Sequence, residues 1–193
     1  LGRPAPPWST ISAPAAETCR TALAQALISS PGGDSPTISA GDRRLEHLAG
    51  RLANTRTSAD LYSTLDLMAG ELHAHKIALS RWLPERRALQ TLAESGDQMQ
   101  DEFFSVEDYP ATASVLEDQE ATQVMVGDPD ADTAEVKLLL AQGYRSLLMV
   151  PIVLGGESLG IVEATSEEER SWTRTEINRA RIIANQLASV IQT

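Results

Sequence analysis

The stretch Gly143-Tyr144-Arg145-Ser146-Leu147-Leu148-Met149-Val150-Pro151-Ile152-Val153-Leu154-Gly155-Gly156-Glu157-Ser158-Leu159-Gly160-Ile161-Val162-Glu163 decides the fold. Two apolar runs, Ser146 to Leu154 and Ser158 to Thr165, flank the Gly155-Gly156 pair, and glycine accepts the positive φ angles that a two-residue hairpin turn requires. Pro151 cannot donate a ladder hydrogen bond, so it predicts an edge or a bulge in its strand. Gly160 allows another backbone to come close. Glu163 stands in step with Leu159 and Ile161, so its carboxylate either meets a buried donor or lies on a wet face.

Outward from the hairpin, Thr133 to Gln142 reads as a helix closed by Gly143. The loop Gly127 to Asp132 and the strand Ala121 to Val126 precede it. Downstream, Thr173 and Glu176 form a capping box, and Ile177, Ala180, Ala184, Leu187 and Ile191 step by three and four along the helix it opens. Upstream, KIALSRWL and ALQTLAES around PERR predict a second hairpin from Lys76. Before it, Leu61, Leu65, Met68 and Leu72 mark one face of a helix of about four turns, with Thr57 or Ser58 as its N-cap. Residues 96 to 121 are an excursion with a short helix from Pro110 to Leu116.

Residues 1–15 read as a linker, 16–56 as an N-terminal helical segment, and 57–193 as the folded domain. Within 16–56, Leu45, Leu48 and Leu52 repeat at helical spacing and need a partner surface. A chain opening on Leu1 rather than Met is expected to be an excerpt or a processed product. With 193 residues it can bury about 70% of its unfolded surface, enough for one independent domain. The hydrophobic fraction of 42% and charged fraction of 22% are ordinary for a globular domain.

The net charge of −11 opposes attraction to nucleic acid or anionic lipid. No apolar run approaches the roughly 20 residues of a membrane span, and Leu1 to Pro7 lacks the apolar core of a signal peptide, so a cytoplasmic location is expected. Cys19, the single cysteine, forms no internal disulfide and no thiolate metal cage.

The element order predicts an α+β fold, an antiparallel five- to six-stranded sheet flanked by helices, with long N- and C-terminal helices. The segments Gly143 to Ile152, Gly155-Gly156-Glu157 and Leu159 to Glu163 resemble the GAF domain family. Asp108-Tyr109-Pro110 before Val115-Leu116, and the closing Trp172-Thr173 to Ile191 segment, extend the resemblance over about residues 57 to 192. It implies a non-catalytic sensor or regulatory domain of a multidomain signalling protein, with an output domain of the histidine kinase or diguanylate cyclase type. The alternative it leaves open is a dimerisation scaffold without a ligand. It also implies flanking helices that pair with those of a second subunit. Leu45, Leu48, Leu52, Ile177, Ala184, Leu187 and Ile191 are the candidates for that homodimer, the same seams packing on the domain's own sheet being the other arrangement.

The cofactors of known subclasses set residue requirements. Covalent bilin needs a cysteine in the domain, and Cys19 lies well before it. Haem needs an axial histidine near the pocket, whereas His47, His73 and His75 all precede the first strand. The sulfoxide-reducing enzymes of the family use several cysteines. The Asn-Lys-Phe-Asp-Glu signature of the cyclic-nucleotide binders is not present, so that ligand is unsupported. His73 with His75, and Asp128, Asp130 and Asp132, read as an exposed junction and a solvated loop rather than metal sites, and no cofactor is expected. No catalytic residues are identified.

A small-molecule pocket is expected between the sheet and the 96–142 excursion. Phe103, Phe104 and Tyr109 with Trp82 supply an apolar wall. Trp82, Phe104, Tyr109, Met125, Tyr144, Arg145, Ser146, Met149 and Glu163 are the candidate lining, with Arg145 or Glu163 orienting the ligand.

Overall fold

A computed structural model of the chain describes residues 58–96 and 102–191. The stripe Leu45, Leu48 and Leu52, with His47, Cys19 and the proposed linker, lies outside the described residues. The elements run α1 (Ser58–Leu72), β1 (Lys76–Leu83), β2 (Ala88–Glu94), β3 (Phe103–Ser105), α2 (Pro110–Asp118), β4 (Thr122–Met125), α3 (Thr133–Gln142), β5 (Ser146–Leu154), β6 (Glu157–Ser166) and α4 (Arg174–Ile191). The six strands form one antiparallel sheet in the order β3-β2-β1-β6-β5-β4.

Helices cover both faces. On one, Leu61, Leu65, Met68 and Leu72 of α1 and Ala180, Ile183, Ala184, Leu187 and Ile191 of α4 pack with Ile77, Leu79, Leu148, Val150, Ile152 and Val162. The terminal seam is therefore buried on the domain's own sheet, and Ile177 packs partly against the same cluster. What α4 presents outward includes Ile182, 46% exposed. On the other face, Val115 and Leu116 of α2 and Leu139 of α3 meet Leu89, Leu147, Met149 and Ile161. Side chains alternate across a strand, so β6 sends Val162 and Ala164 to the first face and Ile161 and Glu163 to the second.

Local chemistry fixes the ends. Gly143 (φ 82°) caps α3 by donating to the carbonyls of Leu139 and Leu140. Asp132 caps its start, its Oδ1 accepting from the Ala134 and Glu135 amides at 2.8 and 3.2 Å, while Oδ2 takes the Ala111 amide at 3.2 Å and ties α2 to α3. Before α4 the predicted capping box closes, with Thr173 N donating to Glu176 Oε2 at 2.8 Å and Glu176 N to Thr173 Oγ1 at 3.3 Å. Phe103 and Phe104 depart from the expected covering loop. They form a short edge strand, because β2 offers an unpaired ladder that takes up Phe103 to Ser105.

Pro151 lies two residues past Met149, the last β5 residue paired with β4, and next to the irregularity between Ile152 and Val153. Gly155 and Gly156 hold φ of 62° and 86° in the turn between β5 and β6. Gly160 sits opposite Arg81 where β6 meets β1, and a Cβ there would lie 2.0 Å from the Ser80 carbonyl oxygen. That contact forces strands apart, so Gly160→Ala is expected to cost about 1–3 kcal/mol in urea denaturation. Gly70, in α1, has open space around its would-be Cβ, and Gly70→Ala is expected to stabilise by about 0.5–1 kcal/mol.

Candidate functional site

On the second face, beside the apolar cluster, the sheet and α3 border an open cavity of about 660 Å³. Its floor follows from strand parity. Lys76, Ala78 and Ser80 of β1 point into it, alternating with Ile77 and Leu79 on the packed face. Thr91 and Glu94 of β2 and Glu163 and Thr165 of β6 flank them. The register puts Ala78 between Glu94 and Glu163, and Lys76 beside Thr165. Phe103, Phe104 and Tyr144 form aromatic walls, Glu102 stands beside Phe103, and Glu135, Leu138, Leu139 and Gln142 of α3 close the roof.

The carboxylates differ in their partners. Glu94 pairs with the Lys76 ammonium. Glu135, 2% exposed, accepts a hydrogen bond from the Thr112 hydroxyl, which also lies 3.4 Å from the Met149 sulfur. Burial raises the Glu135 pKa above the ordinary carboxylate value, against the Thr112 bond. Burial, then the nearby charges of Glu135 and Glu94, pushes Glu163 up to about 7. Beside it, the Thr165 hydroxyl oxygen is enclosed without a hydrogen-bond partner.

Of the expected lining residues, the structure brings Phe104, Tyr144 and Glu163 together at the cavity. Tyr109 stands behind the wall, its ring centroid 4.3 Å from that of Phe104, and Trp82 packs into the apolar cluster. Met149 is buried in the same cluster, and Met125 lies half-buried on the edge strand β4. Arg145 is exposed, paired with Glu169 at 2.7 Å. Ser146 donates to the Glu168 carbonyl at 3.0 Å and accepts from the Arg170 amide at 2.8 Å. The sequence reading missed Lys76, Ala78, Ser80, Glu94 and Glu135. The small and polar residues alternating with Ile77 and Leu79 in β1 were the available signal.

Elsewhere, His73 is exposed, 3.7 Å from Glu176, and His75 Nδ1 accepts from the Glu167 amide at 3.1 Å. Asp128 accepts from the Asp130 amide within the loop before α3. Among the described residues no group of three or more His, Cys, Asp or Glu is arranged to hold a metal ion, and no helix is long and apolar enough to cross a membrane.

The raised Glu163 pKa has a defined sign. Between about pH 4.5 and 7 the folded state binds more protons than the unfolded chain, so stability falls as pH rises through that window and levels off above it. Glu135 acts in the same direction. Glu176 acts oppositely and only in acid: burial works to raise its pKa, but the Thr173 amide and Arg170 bring it below the usual value. The melting temperature of the free protein is expected to decline from pH 5.5 to 8, and Glu163→Gln to flatten most of that decline. An equal slope in the two proteins by scanning calorimetry would remove Glu163 as its source.

A family model described as "GAF domain" matches residues 58–191. No curated protein matches the chain. Among solved structures, the phycoerythrobilin-bound GAF domain from a cyanobacterial phytochrome is similar at TM-score 0.65 and 19% identity, over 79% of this chain and 95% of that one. The GAF domain of a two-component sensor histidine kinase from Bacillus halodurans is similar at 0.58 and 16%, over 70% and 94%. The chromophore binding domain of Stigmatella aurantiaca phytochrome P1 is similar at 0.63 and 12%, over 83% of this chain and 62% of that one.

Proposed function

The chain belongs to the GAF domain family, a sensor and regulatory fold, and from that premise we propose that its cavity takes a small organic molecule. The domain is non-catalytic and cytoplasmic in this proposal. Its flanking helices pass the state of the cavity to an output domain of the histidine kinase or diguanylate cyclase type. The observation that carries the proposal is the open cavity of about 660 Å³, within the volume range of small-molecule sites, with aromatic residues at one side and a largely polar floor. A dimerisation scaffold would fill that space with its own side chains. The similarity to a sensor histidine kinase domain supports the choice of output.

The bound molecule is non-covalent and not haem. Cys19 lies outside the matched residues, and His73 and His75, at the turn between α1 and β1, are not among the residues that line the cavity. Pairing of two copies is assigned to the Leu45, Leu48 and Leu52 stripe, since the seam of α4 is buried within the protomer.

Native mass spectrometry of gently purified protein tests both parts. The expected species is a dimer, about twice 20.8 kDa, carrying a defined extra mass. A ligand at 100 times its Kd adds about 2.7 kcal/mol to stability. That corresponds to a melting shift of several degrees. Ala78→Leu, which fills the cavity floor, is expected to abolish the shift and leave the fold intact. A protein with no extra mass and no shift from a broad metabolite panel overturns the sensor proposal in favour of the scaffold.

A further inference from the structure

The cavity wall is unbalanced in charge. Among the described residues its titratable groups are Lys76 from β1, Glu94 from β2, Glu102 beside β3, Glu135 from α3, Tyr144 after α3, and Glu163 from β6. Four are carboxyl groups and one is a cation. The Lys76 ammonium is already paired with Glu94. Glu135 holds the Thr112 hydroxyl. Among the described residues Glu163, at the floor, makes no ion pair, and the enclosed Thr165 hydroxyl oxygen beside it has no partner.

Shape completes the pattern. Ala78, with its small side chain, separates Glu94 from Glu163, whose strands lie about 10 Å apart, two inter-strand spacings. The gap leaves room for a ligand head group between them. Above it, the half-buried Phe104, Leu138 and Tyr144 offer an apolar surface to a flat body. The carboxylates are not grouped to hold a metal ion among the described residues, so an organic donor fits the space better than a bare cation.

We propose that this cavity selects small organic cations, amines or amidines carried on a flat apolar body, with Glu163 as the anchoring carboxylate. The inference rests on the sensor function proposed above and names its ligand class. Glu163 is half-buried at the cavity floor, and a protonated amine seated against it supplies charge and hydrogen-bond donors together. Because Glu163 ionises near neutrality in the free protein, a cation that binds its ionised form must displace a proton at lower pH. Affinity then weakens about tenfold from pH 8 to pH 6, the ratio of ionised Glu163 at the two values.

The test uses the full 193-residue chain and three matched series, read by calorimetry and thermal shift. The cations are tryptamine, phenethylamine and benzamidine. Their neutral counterparts are tryptophol, phenethyl alcohol and benzamide, and their anionic counterparts are indole-3-acetate, phenylacetate and benzoate. At pH 8 at least one cation is expected to bind ten times or more tighter than its counterparts. Glu163→Gln is expected to lose at least tenfold for that cation and its pH dependence, with the fold checked by its own melting curve. Glu94→Gln, which leaves the Lys76 ammonium without that carboxylate, is expected to weaken cations and favour the carboxylates. Neutral or anionic members binding as well as the cations would overturn the cation inference while the sensor function stands. Binding by no member of any charge, at concentrations up to solubility, and by no compound of the metabolite panel, would overturn both.

Discussion

The antiparallel pairing of β1 with β6 is the contact on which the domain depends. β3, β2 and β1 come from the first half of the fold and β4, β5 and β6 from the second, and the two halves meet only along this ladder within the sheet. Gly160 lets the ladder close at full depth, with the Ser80 carbonyl where a Cβ would stand. A sheet cannot trade this contact for side-chain packing. Backbone groups opened here would be buried without partners, and an unpaired buried amide costs as much as a lost hydrogen bond. The same ladder sets the site, because pairing Ala78 with Glu163 brings the carboxylate to the centre of the floor.

The two faces of the sheet have different chemistry. Against α1 and α4 the side chains are nearly all aliphatic, and that face supplies the cohesion of the fold. The other face is apolar under α2 and polar beneath α3, where Glu135 is buried and Glu163 half-buried. Well-packed hydrophobic residues in place of such groups often leave a protein no less stable.

Much of the architecture was legible because it depends on local chemistry. The spacing of Leu61, Leu65, Met68 and Leu72 marked α1, Gly143 marked the end of α3, and Gly155-Gly156 marked the turn into β6. The site was only partly legible. Glu163, Tyr144 and Phe104 stood out as unusual for their positions, but Glu94 and Glu135 join them through strand register and helix packing, which single-chain periodicity does not encode. Arg145 illustrates the same limit. Its place beside the hairpin suggested a ligand contact, yet its outward direction is set by Glu169, from a loop far along the chain. Asp132 went the other way, since an acidic loop residue became the cap joining α2 to α3.

The proposed transmission from the cavity needs a mechanical connection, and β6 offers a short one. Two residues beyond Glu163, the Thr165 carbonyl accepts the His75 amide at 2.8 Å, at the turn that ends α1. The strand then runs through Ser166 into the segment that carries Arg170 and Trp172. Arg170 donates to the carbonyls of Leu72 and His73, both at 3.1 Å, and to Glu176 of α4 at 2.8 Å. The Trp172 indole also reaches the Leu72 carbonyl, at 2.9 Å, beneath the Arg170 guanidinium. The end of α1 and the start of α4 are thus held by one cluster attached to the strand that bears Glu163. A ligand can bias the two helices only to the extent that it binds their alternative arrangements unequally. Charge at Glu163 is suited to produce that difference, because the attraction between a half-buried carboxylate and a cation varies with their separation and with the water between them.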